Sequence, residues 1–452
     1  MIVAQIRADL PQESEDVNPS NALSSYFPIR TSDRKNKDIF DWDTVLGFTV
    51  KNAYRKHQEL DVEAFKSGVE ARFVGKLVGE KFWLVLDKMY FEREGFYNIA
   101  PEFLLFKANR KQGVTASSRL GDMYSSLMQD FLPTEKLNVS MNFLERELYE
   151  ELKEQLKKQA GSKKSKSKKN EQVIGNNEYP YLPFLTKHFQ QDLHFLEEHP
   201  KYLLSTFTDF LRLYAVLYTS QLALNLGSWR DGEPEPKRCY FILDSEKASE
   251  ERTNVKDFGY GQLNRAMHSI FPYLAMNDSL QIPKERKQPI WKLAQQLQES
   301  PVFAEKLSNY AQAFNDYRGL DQQIVHTKDP LVALEQLLKL SKDEFGRGMS
   351  KHSINNEYVQ TIQKELCSNF IYSRGRIGKV LVINQDYLML LTNLVIGNQE
   401  KMRFHELVLA FESRGVFFDK QSHAALIEFY ERIGNVEKMS DSGDAVYVRK
   451  TI

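Results

Sequence analysis

Three short stretches of this sequence bring residue types that do chemistry close together. Asp231, followed by Glu235-Pro236-Lys237, has the acid and Glu-x-Lys order with which paired-carboxylate nucleases hold a metal ion and orient water. That chemistry needs the ligands on a strand, and Pro234 and Pro236 break a strand where they would sit. A loop of solvated charges is the simpler reading. His188, His194 and His199 follow one another at steps of six and five, which do not share a helix face as zinc-binding pairs four apart do. Gly375-Arg376-Ile377-Gly378-Lys379-Val380 is the nearest approach to a P-loop, but its glycine spacing is wrong and Val380 cannot ligate magnesium. There is no G-x-S-x-G string, and Cys239 and Cys367 form no CxxC pair. We therefore expect no catalytic residue, no metal site and no cofactor in this chain.

The composition sets the elements that must carry any site. The 452 residues suggest two to four domains at roughly 100–200 residues each. Twenty-nine Phe and 21 Tyr supply aromatic cores that need no disulfide staples. Basic and acidic residues balance at 61 each, which excludes a general nucleic-acid coat and leaves DNA contact to a local patch. The two cysteines fit a reducing, cytoplasmic setting. Residues 1–20 carry no signal-peptide pattern. The longest apolar stretch, Tyr202 to Leu226, is interrupted by Asp209 and Arg212 and reads as a buried helix rather than a membrane span.

We expect a mainly α (α+β) chain: a multi-domain helical body with short strands and a C-terminal winged-helix domain. Residues 1–156 read as an N-terminal α+β region, with a helix over 40–55, an apolar run at 82–86 of strand or buried-helix type, and a charged helix over 142–155. Residues 157–178 read as a Lys-rich flexible linker, because the seven lysines of 157–169 stand among Ser, Gly, Ala and Gln that bury no apolar surface. Lys163, Lys164, Lys166, Lys168 and Lys169 are either a solvated tether or an arm that contacts phosphates without reading sequence. Residues 179–375 read as a mainly helical middle domain with helices near 201–226, 287–299, 301–316, 328–342 and 354–372, interrupted by one strand at 239–244.

Residues 376–452 carry the strongest pattern. KVLVIN (379–384) is strand-like. Asp386 is placed to cap a helix that ends at Gly397, a second helix stops before Gly415, and a third runs over 421–433. Asp441-Ser442-Gly443-Asp444 between two strand-like runs signals a closing hairpin. Three helices and a hairpin make the winged-helix layout. The segment holds ten bases and ten acids, and its hairpin tip is acidic. Its candidate DNA face is the start of the third helix, Lys420, Gln421, Ser422 and His423, with Arg432 further along. The competing reading is that this face docks on a partner protein.

Three stretches bear a family resemblance. YFPIRTSDRKNKDIFDWDTVLGFTVKNAYRK (26–56), RCYFILDSEKASEERTN (238–254) and the run over 386–449 with its Ser-Asp-Ser-Gly-Asp-Ala-x-Tyr-Val string resemble the DptG (DndG) family of DNA phosphorothioation-dependent restriction proteins. The resemblance implies a non-catalytic subunit of a complex that attacks DNA lacking the modification. Its implied partners are a DptF-like ATPase, a DptH-like helicase/translocase, and DNA met directly or through them. It transfers no catalytic residue set. Two other function classes stay open: a cryptic metal-dependent nuclease subunit, and a winged-helix transcriptional regulator.

Overall fold

The structure is a computed structural model. It describes residues 17, 19, 23, 26–54, 60–76, 80–108, 115–129, 131, 141–162, 178–249, 251–281, 285–298, 302–439 and 445–452. Among these the protein is mainly helical, with 17 helices and two small three-stranded sheets. No helix of the described residues is long and apolar enough to cross a membrane. The chain divides into two compact units, neither contiguous in sequence: the smaller holds Phe40–Asn176 and Gln190–Leu211, the larger Met1–Ile39, Asn177–Phe189 and Arg212–Ile452.

In chain order the first helices are α1 (Trp42–Ala53), α2 (Val62–Phe73), α3 (Glu80–Leu86), α4 (Ala116–Leu127), α5 (Phe143–Ser162), α6 (Pro183–Glu198) and α7 (Pro200–Asn225). The smaller unit is built on rings: Phe65 lies 4.9 Å from Phe106, and Phe96 meets Phe106 edge-on at 5.6 Å. Leu148 and Leu152, four apart on α5, are buried in that cluster. The α2 helix approaches α5 at Gly68, where any Cβ would stand 2.2 Å from Glu151 Oε1. That close approach lets Arg72 reach Glu151 at 2.7 Å. The apolar run at 82–86 is helical, and it is not buried as expected. Phe82, Leu84 and Val85 are exposed, while Leu86 packs inward. The chain continues from α3 as a π-helical turn, Asp87–Glu92. The charged helix extends past 155 to Ser162, so Lys157 and Lys158 are helical rather than part of a tether. Lys163, Lys164, Lys166, Lys168 and Lys169 lie outside the described residues.

The larger unit continues with β1 (Ile242–Leu243), α8 (Thr253–Phe258), α9 (Tyr260–Met267), α10 (Ile270–Ser279), α11 (Ile290–Gln298), α12 (Val302–Arg318), α13 (Pro330–Asp343) and α14 (His352–Leu366). Then come β2 (Ile371–Ser373), β3 (Lys379–Ile383), α15 (Gln385–Ile396), β4 (Lys401–Arg403), α16 (Phe404–Glu412), α17 (Lys420–Arg432), β5 (Val436–Met439) and β6 (Ala445–Arg449). The N-terminal Phe27 and Ile29 are buried in this unit, and Tyr358 Oη donates to the Ile29 carbonyl at 2.9 Å.

Several sequence expectations change here. The strand at 239–244 shrinks to β1, since only Ile242 and Leu243 join the sheet. KVLVIN does not open the last module alone. β3 pairs parallel with β1 (Ile242↔Val382) and antiparallel with β2, and a parallel pair requires the long helical crossover that separates β1 from β3. The expected helix over 354–372 ends at Leu366 and gives way to β2. Asn384, not Asp386, caps α15: its side chain accepts from Tyr387 N at 2.9 Å, while Asp386 sits in the first turn. The second sheet has the antiparallel order β4-β6-β5. Its edge strand β4, between α15 and α16, was not anticipated: three residues are too few for alternation to show. The turn 441–444 lies outside the described residues.

Candidate functional site: the anchored start of the last helix

Asp419 precedes α17, and its carboxylate accepts from Ser422 N at 3.0 Å, the usual way a short acid satisfies the open amides of a first turn. The same carboxylate takes a two-pronged contact from Arg252, Nε to Oδ2 at 2.8 Å and Nη2 to Oδ1 at 2.5 Å. Planar guanidinium and carboxylate fit this geometry. Arg252 also donates through Nη1 to Glu246 Oε1 at 2.9 Å and through Nη2 to Ser422 Oγ at 2.7 Å. Ser422 Oγ in turn donates to Glu246 Oε2 at 2.9 Å, and Leu243 N donates to the same oxygen at 2.6 Å.

The Arg252 side chain is 3% exposed, with Glu246 at 9% and Asp419 at 11%. Burial alone would raise the Asp419 carboxyl, but hydrogen bonds from Arg252 and from Ser422 outweigh it and hold the acid below its ordinary value. Burial likewise disfavours the Arg252 charge, and its bonds to Asp419 and Glu246 overcome that. One cation is thus shared by two acids inside the fold.

The turn before α17 is fixed to the same strand region. Phe241 N donates to Phe417 O at 2.9 Å, and Phe417 N to Cys239 O at 3.1 Å. Gly415 has φ +87°, and a Cβ there would meet Gln221 Nε2 at 2.3 Å, so only glycine fits both the backbone and the space. The buried Gln221 receives Lys237 N on its Oε1 at 2.8 Å and donates to the Lys237 carbonyl at 2.9 Å.

This arrangement divides the candidate DNA face. Lys420 and Gln421 are exposed. Ser422, expected on the open face, is 0% exposed and hydrogen-bonded to Glu246 and Arg252. His423 is half-buried, its ring edge-on to Phe404 at 6.1 Å. Arg432 is exposed at the far end of α17, about 18 Å along the axis from Lys420 at 1.5 Å per residue. The helix start thus presents Lys420 and Gln421 to solvent and turns Ser422 toward its own chain.

The other chemistry-bearing stretches are placed as follows. Asp231 closes a 3-10 turn and Glu235 is exposed in a loop, so no strand aligns them. His194 stands 3.3 Å from Glu197, and His199 Nδ1 contacts the Phe195 carbonyl at 2.9 Å. No group of three or more His, Cys, Asp or Glu among the described residues is placed to hold a metal ion. Gly375 to Gly378 form the turn between β2 and β3, closed by Arg374 N to Gly378 O at 2.8 Å. Cys239 and Cys367 are buried, and burial pushes the Cys239 thiol up to about 12, far from an ionised nucleophile at neutral pH.

Sequence reasoning missed Glu246 and Arg252 as partners of the last helix. Both sit in the quoted 238–254 run, but no spacing relates residues 167, 170 and 176 positions apart. Compared with known proteins, the chain matches no family model, and no curated protein matches it.

Proposed function

We propose that this chain is a non-catalytic subunit of a DNA phosphorothioation-dependent restriction complex, joining a DptF-like ATPase to a DptH-like helicase/translocase. In this reading the last seventy or so residues are a winged helix that assembles the complex rather than one that reads sequence by itself. The order α15-β4-α16-α17-β5-β6 is the order of a winged helix, with β4 pairing on the closing hairpin. The observation that carries the reading is the Arg252 cluster. It joins two of the three stretches on which the family resemblance rests, and it occupies the helix end that a sequence reader would present to bases.

A protein-docking role has a second support in the smaller unit. Leu84, Val85 and Met89 are exposed along one side of α3 and the π-turn, flanked by the exposed Lys81 and Lys88. Exposed apolar residues grouped this way mark interaction surfaces.

The test is co-expression of the tagged full chain with the ATPase and translocase. Both partners should be captured, and the isolated chain should hydrolyse no ATP and cut no DNA. A variant carrying Leu84→Glu and Met89→Glu should lose one partner and keep the other. Capture of neither partner by the parent chain, or DNA cleavage by the isolated chain abolished by Asp231→Ala, would remove the reading.

A further inference from the structure

Beside the buried cluster the larger unit carries an open basic groove. Its volume is about 300 Å³, and its lining includes Ser249, Lys256, Tyr260, Arg376 and Lys379. Lys256 comes from α8, Tyr260 from the start of α9, Arg376 from the β2–β3 turn and Lys379 from β3. Lys256, Arg376 and Lys379 are exposed, and among the described residues none of them is paired with a carboxylate. Among the described residues no acidic side chain lines the groove.

The walls are held in position. Lys379 Nζ stands 5.6 Å over the Tyr260 ring and donates to Gln363 Oε1 at 3.3 Å; Tyr260 Oη donates to the same oxygen at 3.0 Å. Gln363 is fixed by its own donation to Asn264 Oδ1 at 2.6 Å. On the hairpin, Arg374 donates to Asp244 Oδ1 at 2.8 Å, so the turn that presents Arg376 is tied to the segment after β1. Three like charges around one concavity repel each other, and a bound anion relieves that repulsion.

We propose that this groove is a phosphate site and that it takes backbone phosphates of DNA. The anion chemistry stands on the groove alone; the choice of DNA over a free phosphate rests on the function proposed above. The groove contacts the backbone and carries no sequence readout, since phosphate contacts position a protein without specifying bases. It replaces the start of α17 as the place where this neutral chain meets a polyanion.

The experiment uses the full chain and a labelled duplex of about 20 base pairs, followed by anisotropy between about 50 and 200 mM salt. The variant Lys256→Ala/Arg376→Ala/Lys379→Ala should bind at least about tenfold more weakly at the low end and flatten the salt slope by about 3, roughly 0.9 per lost phosphate contact. Lys256→Arg/Lys379→Arg should keep parental binding, and Lys420→Ala/Arg432→Ala should change neither affinity nor slope by more than about one contact's worth. Triple-variant binding equal to the parent, or no parental binding at the low end, overturns the proposal. Inorganic phosphate that raises the melting temperature of the parent and not of the triple variant, with no DNA binding by either, overturns the assignment to DNA. The triple variant should still capture both protein partners. Failed capture by the parent with groove-dependent DNA binding intact would sink the function proposal and leave the groove standing.

Discussion

Arg252 and Lys256 lie one helical turn apart, joined by the bond from Lys256 N to the Arg252 carbonyl, yet they live in opposite electrostatic settings. Arg252 is buried and shared between two carboxylates; Lys256 is exposed beside two further cations with no carboxylate on any of them among the described residues. The buried charge is structural, because removing its partners would leave a desolvated ion. The exposed charges are available, because no carboxylate among the described residues neutralises them. The same contrast separates Ser422, engaged inside, from Lys420, two residues away and open to solvent. A basic residue near the start of a helix is therefore no guide to DNA contact until its pairing is known.

Four measurements break or sharpen that contrast. Arg252→Ala should cost about 3–5 kcal/mol, the usual penalty for leaving buried charges unpaired, read as a drop in the urea midpoint of the larger unit's transition. A loss under about 1 kcal/mol would show that Glu246 and Asp419 find other partners or water. Gly415→Ala should cost about 2 kcal/mol, from the left-handed backbone and the contact with Gln221 together, and should free the turn before α17.

The third is acid dependence. The Asp419 carboxyl is held below its ordinary value in the fold, so its contribution is fully present above the unfolded value near ~3.9 and is lost as pH falls through the folded value. The melting temperature should therefore be flat from about pH 7 to about pH 5 on this account and fall below about pH 4, and Asp419→Asn should lower the plateau and flatten the acid limb. An acid limb as steep in the variant as in the parent would assign the acid loss to other groups. The smallest effect belongs to the groove: Lys256→Ala, Arg376→Ala and Lys379→Ala should each shift stability by no more than about 0.5 kcal/mol. A groove lysine that costs as much as Arg252 would erase the distinction between structural and available charge.

Much of the last module was legible from local chemistry. Gly397 and Gly415 mark the ends of α15 and α16, and the apolar-periodic run over 421–433 marks α17, whose cap Asp419 the structure adds. The missed strands are the short ones, β2 and β4, three residues each, whose pairing depends on distant partners rather than on their own pattern. The run at 82–86 misled because continuous apolar sequence normally implies burial, and here three of its side chains face solvent. Of the candidate site, Lys420, Gln421 and Arg432 are where an exposed helix face puts them; Ser422 is not, because the acceptor for its hydroxyl comes from residue 246.

By itself the sequence determined the helical character, the breaks after the last three helices, and the absence of any P-loop spacing, since these depend on neighbours within a few residues. Only the tertiary structure decided which charges are spent and which are free. It placed Arg252 against Asp419 across 167 positions and gathered Lys256, Arg376 and Lys379 around one groove. Pairing and desolvation act over a few ångströms of space regardless of chain distance, and so leave no periodicity in the sequence to read.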